Sequence, residues 1–145
     1  NADSGGSPHI EYVTIATLGN ATNFGDVDSG CRYIDACHNN LRVVLGGGQI
    51  GASPSKTPTL QMEYFAIATT GNSADFGDLS AVRQSLNSST MSSETRGIFA
   101  GGQTPSTINI IEYITNASTG DATDFGDLSA VRTGVAGCSD SHGGL

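Results

Sequence analysis

The chain has 145 residues, 20 of them glycine, none tryptophan and only 14% charged, a composition that fits one turn-rich domain of extended structure better than a helical one. Lys and Arg number 6 against 14 Asp and Glu, a net charge of -8, so the surface is expected to repel a phosphate backbone, and nucleic acid and anionic membrane are poor partners. No apolar run approaches 18 residues and no basic stretch precedes an apolar core near Asn1, so neither membrane insertion through a helix nor a signal peptide is expected; the absent initial Met suggests a processed chain or part of a longer one.

The first predicted element is an alternating, β-branched stretch from Ile10 to Thr17 that carries Glu11-Tyr12, a strand with one better buried face. A turn at Gly19-Asn20 follows, then Phe24-Gly25-Asp26-Val27, then a Ser/Ala/Gly-rich segment opening on Arg32. An apolar strand, Arg42-Val43-Val44-Leu45, runs into Gly47-Gly48, and a Pro/Ser/Thr loop from Gly51 to Pro58 returns the chain. The series then restarts. Leu60 to Thr69 carries Glu63-Tyr64, and the turn Gly71-Asn72, Phe76-Gly77-Asp78-Leu79, Arg83 and the strand Arg96-Gly97-Ile98-Phe99 lead to Gly101-Gly102. Ile110 to Thr115 with Glu112-Tyr113, the turn Gly120-Asp121, Phe125-Gly126-Asp127-Leu128 and Arg132 form a third copy. Both the Glu-Tyr and the Phe-Gly-Asp series are spaced by 52 and then 49 residues. A lone unit of about 50 residues cannot bury enough apolar surface to offset its ordering entropy, so the copies must pack on one another.

Four short strands per copy, no helical period, and Gly or Pro at nearly every junction predict an all-β fold of antiparallel four-stranded blades. Residues 1–145 make one repeat domain: a half-blade at 10–27, blades at 32–79 and 83–128, and a half-blade at 129–145. Asp140 to Leu145 align with Glu94 to Phe99, so the third blade is split between the termini. Three blades leave open faces, which predicts a homodimer of six blades or a segment of a longer array. Three copies of this length also fit a β-trefoil, though the double glycine after the apolar strand favours a blade. In this reading Phe24, Phe76 and Phe125 fill the interior, and the double glycines mark places where strands pass too close for a Cβ.

An apolar strand ending in Gly-Gly, then Tyr12, Tyr64 or Tyr113, then an aromatic, then Arg followed by Gly or Ala resembles the kelch motif, with Phe24, Phe76 and Phe125 where kelch repeats usually carry Trp. The phrases Ile-Ala-Thr-x-Gly-Asn, Phe-Gly-Asp-Leu and Thr-Arg-Gly-Ile-Phe-Ala-Gly-Gly resemble the kelch-like arrays of tailed bacteriophages, especially phages of cyanobacteria, found in tail-fibre and other virion surface proteins. The resemblance spans essentially the whole chain. It implies a β-propeller at the virion surface or outside the cell, in a homo-oligomer or larger virion assembly. Its role would be non-enzymatic, structural attachment or host-surface glycan recognition; the alternative is a secreted bacterial propeller that binds or processes glycans. Recognition is expected on the loops that vary between copies, which hold Gln49, Ser53 and Lys56, Asn87 and Ser92, and Gln103 and Thr104.

Asn20, Asn23 and Asp26, with Asn72, Asp75 and Asp78 and with Asp121, Asp124 and Asp127, place oxygens at i, i+3 and i+6 around a turn, which suits calcium at Asp26, Asp78 and Asp127; the same residues are ordinary turn formers. Glu11, Glu63 and Glu112, Arg32, Arg83 and Arg132, and Arg42, Arg96 and His142 recur once per copy. A charge repeated in every copy reads as a structural staple, with a rim that binds a sugar or peptide as the alternative, whereas a catalytic pair would occur once. No catalytic residue and no cofactor is expected. Gly46 to Gly51 satisfies a dinucleotide-binding pattern formally, but Pro54 and Pro58 forbid the helix it needs, and no G-x-S-x-G is present. Asn20, Asn87 and Asn116 open N-x-Ser/Thr triplets. Of the three cysteines at least one is unpaired; they read as small buried hydrophobes, with Cys37–Cys138 or Cys31–Cys37 pairing as alternatives and no four-ligand zinc spacing.

Overall fold

The computed structural model describes residues 7–28, 30–51, 55–84 and 90–138, and within them the protein is all-β, with no helix. The strands are β1 (His9–Tyr12), β2 (Thr22–Asp26), β3 (Cys31–Arg32), β4 (Asp35–His38), β5 (Arg42–Gly46), β6 (Gln49–Ile50) and β7 (Thr57–Ala66). They continue as β8 (Ala74–Arg83), β9 (Thr90–Ser92), β10 (Arg96–Ala100), β11 (Gln103–Thr104), β12 (Ser106–Thr107), β13 (Ile110–Thr115) and β14 (Thr123–Asp127). β4-β5-β7-β8 and β9-β10-β13-β14 are two antiparallel sheets with the same order, and β1-β2 reproduces the outer two strands of each. The short strands β3 and β6 extend the first four-stranded sheet, and β11-β12 is a small hairpin.

The repetition extends to a local irregularity. The ladder slips between Ile10 and Glu11, between Met62 and Glu63, and between Ile111 and Glu112, so a bulge precedes the glutamate in every copy. A bulge adds one residue to one strand and re-aims the side chain beside it. Here the extra residue is the phenylalanine of Phe-Gly-Asp on the partner strand, Phe24, Phe76 or Phe125, and Glu63 faces the preceding copy by ordinary alternation, on the same face as Phe65.

Alternation along the strands gives each sheet two apolar faces, and the sheets stack face to back. Val44, Met62, Phe76, Leu79 and Cys37 on one side of the first four-stranded sheet bury against Phe99 and Ile114 of the second. On its other side Leu45, Phe65 and Val43 meet Phe24, Val27 and Ile10 of the β1-β2 copy. Phe24 and Phe65 touch edge to face across that junction, with centroids 5.8 Å apart. These two layers are the core.

Several expectations are corrected. The strand expected from Ile10 to Thr17 ends at Tyr12, because among the described residues β1 pairs only with β2, whereas β7 is held on both sides by β5 and β8. The strand expected to reach Thr69 ends at Ala66. Phe76 is buried at 2% exposure, but Phe125 in the equivalent place is 53% exposed, because among the described residues no further sheet covers it. Cys37 is buried, but Cys138 is exposed and Cys31 half-buried. The four-stranded sheets span 35–83 and 90–127. Within 129–145, residues 129–138 form no strand, and Ser139 to Leu145, including His142, lie outside the described residues.

Candidate functional site

The recurring polar residues converge on one structure, the joint between successive copies, and it is built twice. In the first joint the Gly71 N–H donates to the Phe24 carbonyl at 2.8 Å and the Ser73 N–H to the Asp26 carbonyl at 2.9 Å. The Asn72 side-chain carbonyl accepts the Asp26 N–H at 3.1 Å. In the second, the Gly120 N–H donates to the Phe76 carbonyl at 2.6 Å, the Ala122 N–H to the Asp78 carbonyl at 2.8 Å, and Asp121 Oδ1 accepts the Asp78 N–H at 3.1 Å. A Cβ on Gly25 would collide with the Gly71 carbonyl, and one on Gly77 with the Gly120 carbonyl. The glycine of Phe-Gly-Asp is therefore required by the turn of the next copy lying directly on it.

The glutamates complete the joints. Glu63 accepts the Asp28 N–H at 3.1 Å and the Ser73 hydroxyl, and Glu112 accepts the Ser80 N–H at 3.0 Å. Glu112 also takes Arg83 Nη2 at 2.6 Å, with side chains 1% and 0% exposed, while Arg83 Nη1 donates to the Gly101 carbonyl at 3.2 Å. Burial holds the Arg83 guanidinium below its usual pKa, and the charge of Glu112 opposes that shift. This is a buried, hydrogen-bonded pair linking two copies. Arg42 and Arg96 lie 4.6 Å and 4.5 Å from the ring centroids of Tyr64 and Tyr113 in their own sheets.

Of the acidic residues considered for calcium, Asp26 meets His9 Nδ1 at 2.6 Å on the surface and Asp127 is exposed, while Asn72 and Asp121 use an oxygen to cap the preceding copy. Among the described residues no three His, Cys, Asp or Glu side chains gather as a metal site. Gly47, Gly48, Gly101 and Gly102 all have positive φ, and a Cβ on Gly48 or Gly101 would stand 2.8 Å or 2.7 Å from the carbonyl of Arg32 or Arg132. Gly46 to Gly51 leads into β6 and β7, not into a helix. The Asn116 triplet is unavailable to glycosylation in the folded chain, since Asn116 is buried and donates to the Ser93 carbonyl.

Beyond the double glycines the two repeats meet in a cluster of amides. Gln49 donates to Gln84 Oε1, the Gln84 and Gln103 backbones exchange hydrogen bonds at 3.1 Å and 3.0 Å, and Gln103 Nε2 donates to the Pro105 carbonyl at 3.0 Å. Gln49, Gln103 and Thr104, expected in loops, belong to the short strands β6 and β11, and the partly exposed Lys56 precedes β7. Gln84 was not legible as part of this cluster, having no pattern beyond following Arg83. Ser92 is corrected from loop to strand: it lies in β9, and its hydroxyl accepts the His38 N–H at 2.9 Å, a scaffold contact. Ser53 and Asn87 lie outside the described residues.

A concavity opens where β1-β2 lies on the first four-stranded sheet. It encloses about 260 Å³, and its lining includes Glu11 among apolar residues such as Ile10, Phe24, Leu45, Phe65 and Ile67. Its walls are apolar side chains of the inter-copy core, so it offers contact area and little polar chemistry. The chain matches no protein-family model and no curated protein.

Proposed function

We propose that the protein is a non-enzymatic scaffold module, a kelch-like β-propeller segment of a virion surface protein, which presents loops for attachment to a host glycan or to other virion proteins. The observation that carries this reading is the destination of the recurring polar groups: Glu63, Glu112, Arg83, Asn72 and Asp121 all bond across joints between copies. Groups so engaged hold sheets together, and no copy departs from the pattern with an added carboxylate pair. Four-stranded sheets stacked face to back through repeated joints support blades over a trefoil. The virion setting rests on the resemblance of the repeats.

Recognition falls to the amide cluster of Gln49, Gln84 and Gln103 with Lys56 nearby, since amides and hydroxyls match sugar hydroxyls and the net charge of -8 disfavours anionic partners. The test is binding of the chain to a panel of bacterial surface polysaccharides. Binding that Gln103→Ala and Lys56→Ala each weaken supports the reading; release of new reducing ends would favour the glycan-processing alternative, and binding indifferent to both substitutions would refute the assignment of the surface.

A further inference from the structure

The joint is made twice inside the chain, and its two halves occur once more, separately, at opposite ends of the stack. Phe125-Gly126-Asp127 repeats Phe24-Gly25-Asp26 and Phe76-Gly77-Asp78 in the same strand register, yet a Cβ on Gly126 would meet nothing within 4 Å, and Phe125 and Asp127 are exposed. Gly19-Asn20 repeats Gly71-Asn72 and Gly120-Asp121, and a Cβ on Gly19 likewise meets nothing. The charges are divided in the same way. Glu11, the counterpart of Glu63 and Glu112, is exposed at one end, and Arg132, the counterpart of Arg83, is exposed at the other.

We propose that a second copy of this chain docks head to tail through this joint, the Glu11 and Gly19-Asn20 surface of one copy seating on the Phe125-Gly126-Asp127 and Arg132 surface of another. The internal joints dictate its bonds. Asn20 Oδ1 accepts the Asp127 N–H as Asn72 accepts that of Asp26, and Glu11 pairs with Arg132 as Glu112 pairs with Arg83. Exposed Val13 comes under Phe125, as Phe65 lies under Phe24. The two surfaces differ, so the contact is heterologous: it closes a ring if the rotation per copy permits and otherwise extends. This rests on the repeat-scaffold reading and is independent of glycan recognition, which uses the amide cluster.

The experiment is sedimentation of the 145-residue chain over a wide concentration range. A mass that rises with concentration is expected. Glu11→Arg and Arg132→Glu should each weaken association about tenfold or more, since each places like charges together in a desolvated contact. The double variant should recover most of the loss, because the pair is restored with its signs exchanged. Asn20→Ala should weaken association by a smaller factor. All three positions are exposed in the single chain, so circular dichroism and melting at high dilution should match wild type. A single-chain mass at every concentration would overturn the proposal, as would association that none of these substitutions alters. Polysaccharide binding by the same variants separates the two claims: it should persist in all of them.

Discussion

Phe76→Ala and Phe125→Ala remove the same ring from the same position of two copies, and the structure assigns them different costs. Phe76 is 2% exposed and meets Tyr64 edge to face at 6.0 Å within its own sheet, while its burial is completed by the cluster that includes Phe99 and Ile114 of the next copy. Phe125 makes the same contact with Tyr113 at 6.1 Å but is 53% exposed. Truncating a fully buried phenylalanine costs about 3–5 kcal/mol through lost transfer energy and the residual cavity. Phe125 forfeits chiefly its aromatic pair, about 1 kcal/mol. Equilibrium unfolding in urea, at dilution that prevents association, measures both, and an unchanged slope would place the difference in stability. The gap of about 2–4 kcal/mol is the contribution of inter-copy packing at this position. Equal losses would refute the assignment of the core to the joint.

Glu112→Gln should cost about 3–5 kcal/mol in the same assay, because it leaves the Arg83 guanidinium buried without a counter-charge; a loss below about 1 kcal/mol would mean that water reaches the pair. Gly101→Val should abolish folding as judged by near-ultraviolet circular dichroism, since φ is 69° and the added Cβ stands 2.7 Å from the Arg132 carbonyl, whereas Gly19→Ala should leave the signal unchanged. Burial pushes the Cys37 thiol up to about 12 from 9.0. The folded state then keeps a proton that the unfolded chain releases, so stability falls as pH rises from about 9 toward about 12. Wild type should lose more stability over that range than Cys37→Ala, and parallel pH profiles would contradict the burial. Melting should be indifferent to EDTA, because Asn72 and Asp121 each use an oxygen to cap backbone; a fall in melting temperature reversed by calcium would reopen the metal reading.

The repeat, the all-β class and the strands that carry Glu-Tyr, Phe-Gly-Asp and the apolar run before each double glycine were legible because alternation and turn residues are local properties of the chain; the short strands β6, β9 and β11, expected as loops, were not. The partner of each charge was not. Glu112 and Arg83 recur with their copies, but the sequence does not say that the glutamate of one copy meets the arginine of the copy before it; that depends on how the two sheets stack, which leaves no mark in composition. Phe125 shows the same limit from the other side. Its neighbours in sequence match those of Phe76, and only the absence of a covering sheet among the described residues distinguishes them. The glycine of Phe-Gly-Asp was visible as a repeat, while the collision it avoids lies 46 residues away for Gly25 and Gly71. In the amide cluster Gln49 and Gln103 announced themselves by following the double glycines, and Gln84 had no such signal.

Successive copies stack face to back through one repeated joint, and nuclear Overhauser contacts between residues of different copies put that stacking to the test. Cross-peaks are expected between the Phe24 and Phe65 rings and, across the second junction, between the Phe99 ring and the α-protons of Gly46. Cross-peaks within each sheet, such as Tyr64 to Phe76, without any between copies would contradict the stacking.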